Sequence, residues 1–237
     1  MVKGIIFDVD NTLVDFYRMK NLSVSESIDA MIDAGLDMKK EKALKVLHEI
    51  FNELGLEAHQ IYQKFSKKVL GKVDHKIVAA AIVAHKSVWN GFLHTYPGVI
   101  STLIQLKKRG LKLGVVSDAA KLHVFERLYG MRIGEFFDVV VTHDDTHKFK
   151  PARRPFVHAL KIMKLKPEEC IMLGDWLKGD VGGAKKMGMT ACLARYGVPT
   201  SETKKIMSPS YFKKYSIKPD YTLDKFSDLL KIVNGLK

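Results

Sequence analysis

Cysteine is nearly missing from this chain, with two residues, Cys170 and Cys192, among 237. Each lies in an apolar, strand-like run, so two reduced core cysteines are expected rather than a disulfide or a metal site. Long hydrophobic runs are missing too. No stretch approaches the roughly 18–20 uninterrupted apolar residues that a membrane span needs. The first apolar run, Ile5-Ile6-Phe7, is broken at once by Asp8 and Asp10, and no basic segment leads into a hydrophobic one. No secretory leader and a cytoplasmic location are therefore expected. Repeats, low-complexity segments and blocks of like charge are absent as well.

What is present is a chain 46% apolar with a net charge of +13. Its length and apolar content suffice for a sizeable core, in one large domain or in a domain plus a smaller module. The positive charge is spread along the chain with acids interleaved. That spread favours a lysine-rich solvated surface first and steering of a small anionic substrate second. Nucleic-acid binding is the reading it supports least.

The hydrophobic rhythm changes along the chain. A short apolar strand at residues 4–8 ends in acids. From about residue 16 to 93 apolar residues recur at helical spacing, as in Leu44, Leu47, Ile50, Phe51 and Leu54, with Gly35, Gly55 and Gly71 as helix stops. This block predicts four helices. After Tyr96-Pro97-Gly98 strands alternate with helices. The strands fall at Leu111–Val116, Phe137–Val141, Cys170–Leu173 and Thr190–Ala194; one helix ends near Gly110 and the others fall at about 120–129, 154–164 and 180–187. The tail from about 198 to 219 reads as loop. A last short strand is expected at Tyr221–Leu223, and Asp224 as the cap of a final helix. Alternation of this kind predicts an α/β fold, an open parallel sheet covered on both faces, here interrupted after its first strand by a helical insertion. Ligands in such sheets bind at the carboxyl ends of the strands.

Four constellations sit at such ends. Asp8 closes the first strand and Asp10 follows two residues on, so a near-extended backbone points both carboxylates the same way. One carboxylate can attack phosphorus to form an acyl phosphate. The other can protonate the leaving oxygen and then deprotonate water. Gly114-Val115-Val116-Ser117 ends a strand in a hydroxyl that could hold a phosphate oxygen, although Ser117 reads equally well as a helix cap. Lys148-Phe149-Lys150-Pro151 offers two lysines to offset phosphoryl charge. In Gly174-Asp175 through Asp180-Val181, hard carboxylate oxygens suit Mg²⁺, which would draw phosphate and Asp8 together.

With these motifs in this order, the sequence resembles the haloacid-dehalogenase superfamily of phosphotransferases, over essentially its whole length. The resemblance implies a Rossmann-like catalytic core at residues 1–15 and 95–237 and an all-helical cap at 16–94. It implies Asp8 as nucleophile and metal ligand. Asp10 would be acid/base, with its backbone carbonyl on the metal, and Ser117 would bind the phosphoryl group. Lys150 is the better match to the family lysine, because Pro151 follows it and Phe156 stands six residues on. Asp175 would ligate Mg²⁺ and Asp180 would support the site directly or through water. The finer features, including Ala194-Arg195-Tyr196-Gly197, are similar to archaeal phosphatases that act on glyceraldehyde 3-phosphate. Asp118-Ala119 and Arg153-Arg154 depart from the pattern of many relatives. The expected substrate is a small phosphorylated metabolite; the oligomeric state is left open. Tyr17, Arg18, Lys20, His94, Tyr96 and Arg195 are the polar or aromatic candidates for shaping specificity. A sugar phosphomutase on the same scaffold is the alternative enzyme, and a basic binding protein with a relic site the alternative outside enzymes.

Overall fold

The structure, a computed structural model, describes residues 1–55, 60–198 and 216–236. Strand β1 (Gly4–Phe7) is followed by helices α1 (Phe16–Asp33), α2 (Lys40–Leu54), α3 (Ile61–Leu70) and α4 (His75–Phe92). Then come α5 (Val99–Lys108), β2 (Lys112–Val116), α6 (Lys121–Gly130), β3 (Val139–Val141), α7 (His143–Thr146), α8 (Arg153–Met163) and β4 (Cys170–Gly174). The chain closes with α9 (Gly182–Met187), β5 (Thr190–Ala194), β6 (Tyr221–Leu223) and α10 (Leu229–Gly235). Among the described residues two compact units form, one from Met1–Phe16, Leu93–Val198 and the C-terminal residues, the other from Tyr17–Phe92.

The first unit holds a six-stranded sheet in the order β3-β2-β1-β4-β5-β6, with every neighbouring pair parallel. The order reverses direction beside β1, as in doubly wound sheets. The central strands β1 and β4 are buried at every position, which explains their unbroken apolar sequence: both faces are covered. Helix α8 shows how a face is closed. Phe156, Ala159, Leu160 and Met163 recur at helical spacing and pack with Ile6, Val139 and Met172. Each of the larger buried side chains, Phe156, Leu160 and Met163, contributes about 2 kcal/mol by removal from water. Cys170 and Cys192 are both reduced and buried, and burial pushes each thiol up to about 12. They are packing residues rather than nucleophiles.

The second unit is a helical bundle. Its core gathers Ile28, Met31, Leu47, Ile50, Phe51, Phe65, Ile77 and Ala81 from all four helices. One polar chain crosses it: Ser27 Oγ lies 2.8 Å from the Tyr62 hydroxyl, which lies 2.7 Å from His85 Nδ1. Burial, and then the nearby Lys20 charge, push the His85 imidazole down to about 4, so it stays neutral.

Three sequence expectations need correcting. Asp224 does not cap the last helix. Phe226 is buried against Phe7, with ring centroids 5.7 Å apart, and anchors a 3-10 turn at Phe226–Asp228 before α10 begins. Asp224 instead accepts from Arg195 Nε at 2.6 Å. The helix expected from residue 180 starts as a π turn at Leu177–Val181 and becomes α-helical only at Gly182. Finally, α7 was not foreseen. Thr142 and Asp145 cap it reciprocally, the Asp145 carboxylate accepting the Thr142 backbone N–H at 2.9 Å. Most of the tail read as loop, residues 199–215, lies outside the described residues.

Candidate active site

Parallel register decides what meets at the carboxyl edge of the sheet. Phe7 pairs with Val115 on one side and Leu173 on the other. The residues just beyond these strands, Asp8, Ser117 and Asp175, therefore emerge side by side. The Asp8 N–H is tied to the Leu173 carbonyl at 3.0 Å, and the Ser117 N–H to the Val141 carbonyl at 3.0 Å.

Asp180 joins them from the π turn. The carboxylates of Asp8, Asp175 and Asp180 are all buried and offer oxygens that lie within 4.8 Å of one another. Lys150 Nζ stands 2.7 Å from Asp8 Oδ1 and 2.7 Å from Asp180 Oδ1, and donates to the Val116 carbonyl at 3.1 Å. The ammonium thus donates to Asp8 and to the Val116 carbonyl and stands against Asp180 as an ion pair. Burial alone would lower the Lys150 pKa, but the carboxylates of Asp180, Asp8 and Asp118 outweigh it and hold it well above the ordinary lysine value. Of the two lysines in the motif, Lys150 is buried and Lys148 exposed. Asp118 secures the same loop, accepting the Lys150 backbone N–H at 2.8 Å.

The cluster carries more negative than positive charge. Burial first, with the Asp8 charge adding and the Lys150 charge opposing, pushes the Asp180 carboxyl up to about 7. Three buried carboxylates against one ammonium is an arrangement that a hard divalent cation would relieve.

Glycine is required at two places in this wall. A Cβ on Gly174 would fall 2.2 Å from Asp180 Oδ2, the oxygen that accepts the Trp176 N–H at 3.0 Å. Gly174→Ala is expected to displace the Asp180 carboxylate. Activity should fall at least tenfold, on the scale of 1 Å misplacements, and any dependence on added Mg²⁺ should shift to higher concentration. A metal titration of phosphate release checks both. A Cβ on Gly197 would lie 1.5 Å from the Asn11 carbonyl oxygen and 3.3 Å from Asp175 Cβ. The turn after β5 thus lies directly on the loop that follows Asp8. Beside it the Tyr196 hydroxyl donates to the Thr12 carbonyl at 3.0 Å, and Tyr96 packs edge-on to Tyr196 at 5.0 Å. Asn11 itself turns the loop in the left-handed region at φ 56°, which asparagine tolerates.

Of the sequence-selected residues, Asp8, Lys150, Asp175 and Asp180 form one cluster, and Ser117 stands next to Val116, whose carbonyl Lys150 contacts. The Asp10 carboxylate is not in that cluster and lies 3.2 Å from Arg127 Nε. Among the specificity candidates, Lys20 is buried inside the helical unit over the Phe51 ring at 4.7 Å, and Arg195 is largely exposed and paired with Asp224. Arg127 and the bracing role of Gly197 were not picked out from sequence. The available signal for Arg127 was its place with Val124 and Leu128 on the buried stripe of α6.

A parallel sheet of this order, with acids and a lysine gathered at its carboxyl edge, defines a hydrolase scaffold, and the comparisons specify which. Residues 5–194 match the family described as haloacid dehalogenase-like hydrolase, and the chain belongs to that family. It is 35% identical over 241 residues, covering 100% of this chain and 99% of the relative, to a glyceraldehyde 3-phosphate phosphatase of Methanocaldococcus jannaschii. It is 31% identical over 235 residues to the pyrophosphatase PpaX of Bacillus cereus, covering 99% of this chain and 98% of that one. Among solved structures, a HAD phosphatase from Thermococcus onnurineus superposes with a TM-score of 0.66 at 25% identity, covering 99% of each chain. The protein is a phosphatase of this family, acting on a phosphorylated substrate. No helix among the described residues is long and apolar enough to cross a membrane.

Proposed function

We propose that the protein hydrolyses a small phosphomonoester through a phospho-aspartate on Asp8, with Mg²⁺ as cofactor. The observation that carries this reading is the placing of Lys150 Nζ at 2.7 Å from Asp8 within a buried carboxylate cluster at the strand ends. An ammonium there lowers the cost of bringing an anionic phosphoryl group to a carboxylate.

An Asp8 oxygen attacks phosphorus while the bond to the ester oxygen breaks, and Asp10 gives that oxygen its proton. Asp10, now ionised, takes a proton from water as that water attacks phosphorus. The bond from phosphorus to Asp8 breaks, inorganic phosphate leaves, and Asp10 is again protonated. Ser117 holds a phosphoryl oxygen at the end of β2, and Lys150 offsets its charge throughout. Asp8, Asp175, Asp180 and the backbone carbonyl of Asp10 would hold the cation, whose contribution is to offset charge between nucleophile and phosphate. Residues 16–94 would act as the cap that sets the substrate.

The substrate class is a small phosphorylated metabolite, with glyceraldehyde 3-phosphate the first to try because relatives matched over the whole chain carry that name. Phosphate release from p-nitrophenyl phosphate, glyceraldehyde 3-phosphate, pyrophosphate and a hexose phosphate, each with Mg²⁺ and with EDTA, tests the proposal. Release that requires the metal is expected. Conversion of a hexose monophosphate to its isomer without phosphate release would point to the mutase instead.

A further inference from the structure

We propose that Arg127 is a positioning residue for the Asp10 carboxylate, an assignment that rests on the acid/base reading of Asp10 above. Arg127 is the largest fully buried side chain among the described residues, with 0% of its surface exposed. It projects from α6 on the same stripe as the buried Val124 and Leu128, where a leucine would satisfy the packing. A guanidinium cannot shed its charge in a protein, and burying it is unfavourable unless a counter-charge is close. Asp10 is a close counter-charge, with Oδ1 3.2 Å from Nε. The alignment at this pair falls short of a hydrogen bond, so the contact is that of a cation with a carboxyl oxygen. The ring of Phe16 covers the guanidinium face, with Cζ 4.5 Å from its centroid.

Lys150 is the cation on Asp8 and Asp180, whereas Arg127 stands against Asp10. Asp10, the proposed acid/base, is outside the carboxylate cluster. The Asp10 side chain is 23% exposed and precedes the turn at residues 11–13, two residues beyond Asp8. Such a carboxylate has free rotation about two side-chain bonds unless something fixes it. A buried guanidinium with an aromatic lid does so from the protein side and leaves the exposed side to the substrate. Proton transfer needs the carboxylate within hydrogen-bond reach of the ester oxygen, and an error of about 1 Å costs about 10²-fold.

The test is a mutant cycle. Arg127→Met, which keeps volume and removes charge, and Arg127→Lys, which keeps charge and loses the fork, are each made in the wild type and in Asp10→Asn. Phosphate release gives kcat and KM, and thermal unfolding confirms that each variant is folded. In the wild-type background Arg127→Met should lower kcat by about 10–100-fold with KM within about threefold, and Arg127→Lys should recover part of the loss. In the Asp10→Asn background the same substitutions should cost little, because the group they position is already gone. If Arg127→Met does not fold, Arg127→Lys carries the same comparison. Equal factors in both backgrounds, with Asp10→Asn itself impaired, would overturn the positioning role and leave the acid/base reading standing. An unimpaired Asp10→Asn would remove that reading and the proposal with it.

Discussion

Asp8→Asn should abolish phosphate release, by on the order of 10⁴-fold or more, while leaving a protein at least as stable as the parent. The first half follows from chemistry. An amide has almost the shape of the carboxylate but is a poor nucleophile, so the acyl phosphate does not form. The second half follows from the charge count. Asp8 is one of three buried carboxylates within 4.8 Å, so replacing it by a neutral group removes mutual repulsion. Lys150 keeps Asp180 at 2.7 Å and the Val116 carbonyl at 3.1 Å. The unfolding temperature in EDTA should therefore hold or rise, while added Mg²⁺ should stabilise the variant less than the parent, a ligand having been lost. Turnover at the parental rate, with contamination excluded, would end the phospho-aspartate mechanism. A collapse of stability would instead mean that the carboxylate itself holds the strand ends together.

The parts of this site that were legible in sequence are those fixed by strand ends. Asp8 and Asp175 follow unbroken apolar strands, so parallel register alone brings them together. The alternation of strands and helices gave the sheet for the same reason: buried parallel strands have no polar face to blur the pattern. Lysine choice was different. Lys148 and Lys150 are two residues apart in a lysine-rich chain, and only the burial of one against Asp8 and Asp180 separates them. Arg127 was hidden because a charged residue in a helix reads as surface; its burial depends on an acid more than a hundred positions away in sequence. Asp224 misled because a good cap residue stood two positions before the buried Phe226, and the aromatic contact with Phe7 decided where the turn would form. In each of these three cases long-range packing overrode a local signal.

Lys150→Met should cost both activity and stability, and Mg²⁺ should restore only the second. Nζ is the only cation the ion pairs place on Asp8 or Asp180 among the described residues, and the side chain is 2% exposed. Removing one partner of a buried ionic set leaves uncompensated charge, at a cost of about 3–5 kcal/mol. Here part of that cost is relieved by protonation, because burial already favours the neutral form of Asp180. The loss measured in EDTA should accordingly sit at the lower end of that range. A divalent cation supplies the missing positive charge to the same carboxylates, so saturating Mg²⁺ should return much of the unfolding temperature. It should not return turnover. The lysine contacts the Asp8 oxygen from the side of the Val116 carbonyl, next to Ser117, where a phosphoryl oxygen is proposed to sit, and a cation bound among the carboxylates does not replace a donor there. Unfolding temperatures with and without Mg²⁺, set beside kcat under the same conditions, separate the two roles. Recovery of both together would mean that Lys150 serves only as a counter-ion, and recovery of neither would mean that its fixed hydrogen bonds, rather than its charge, organise the strand ends.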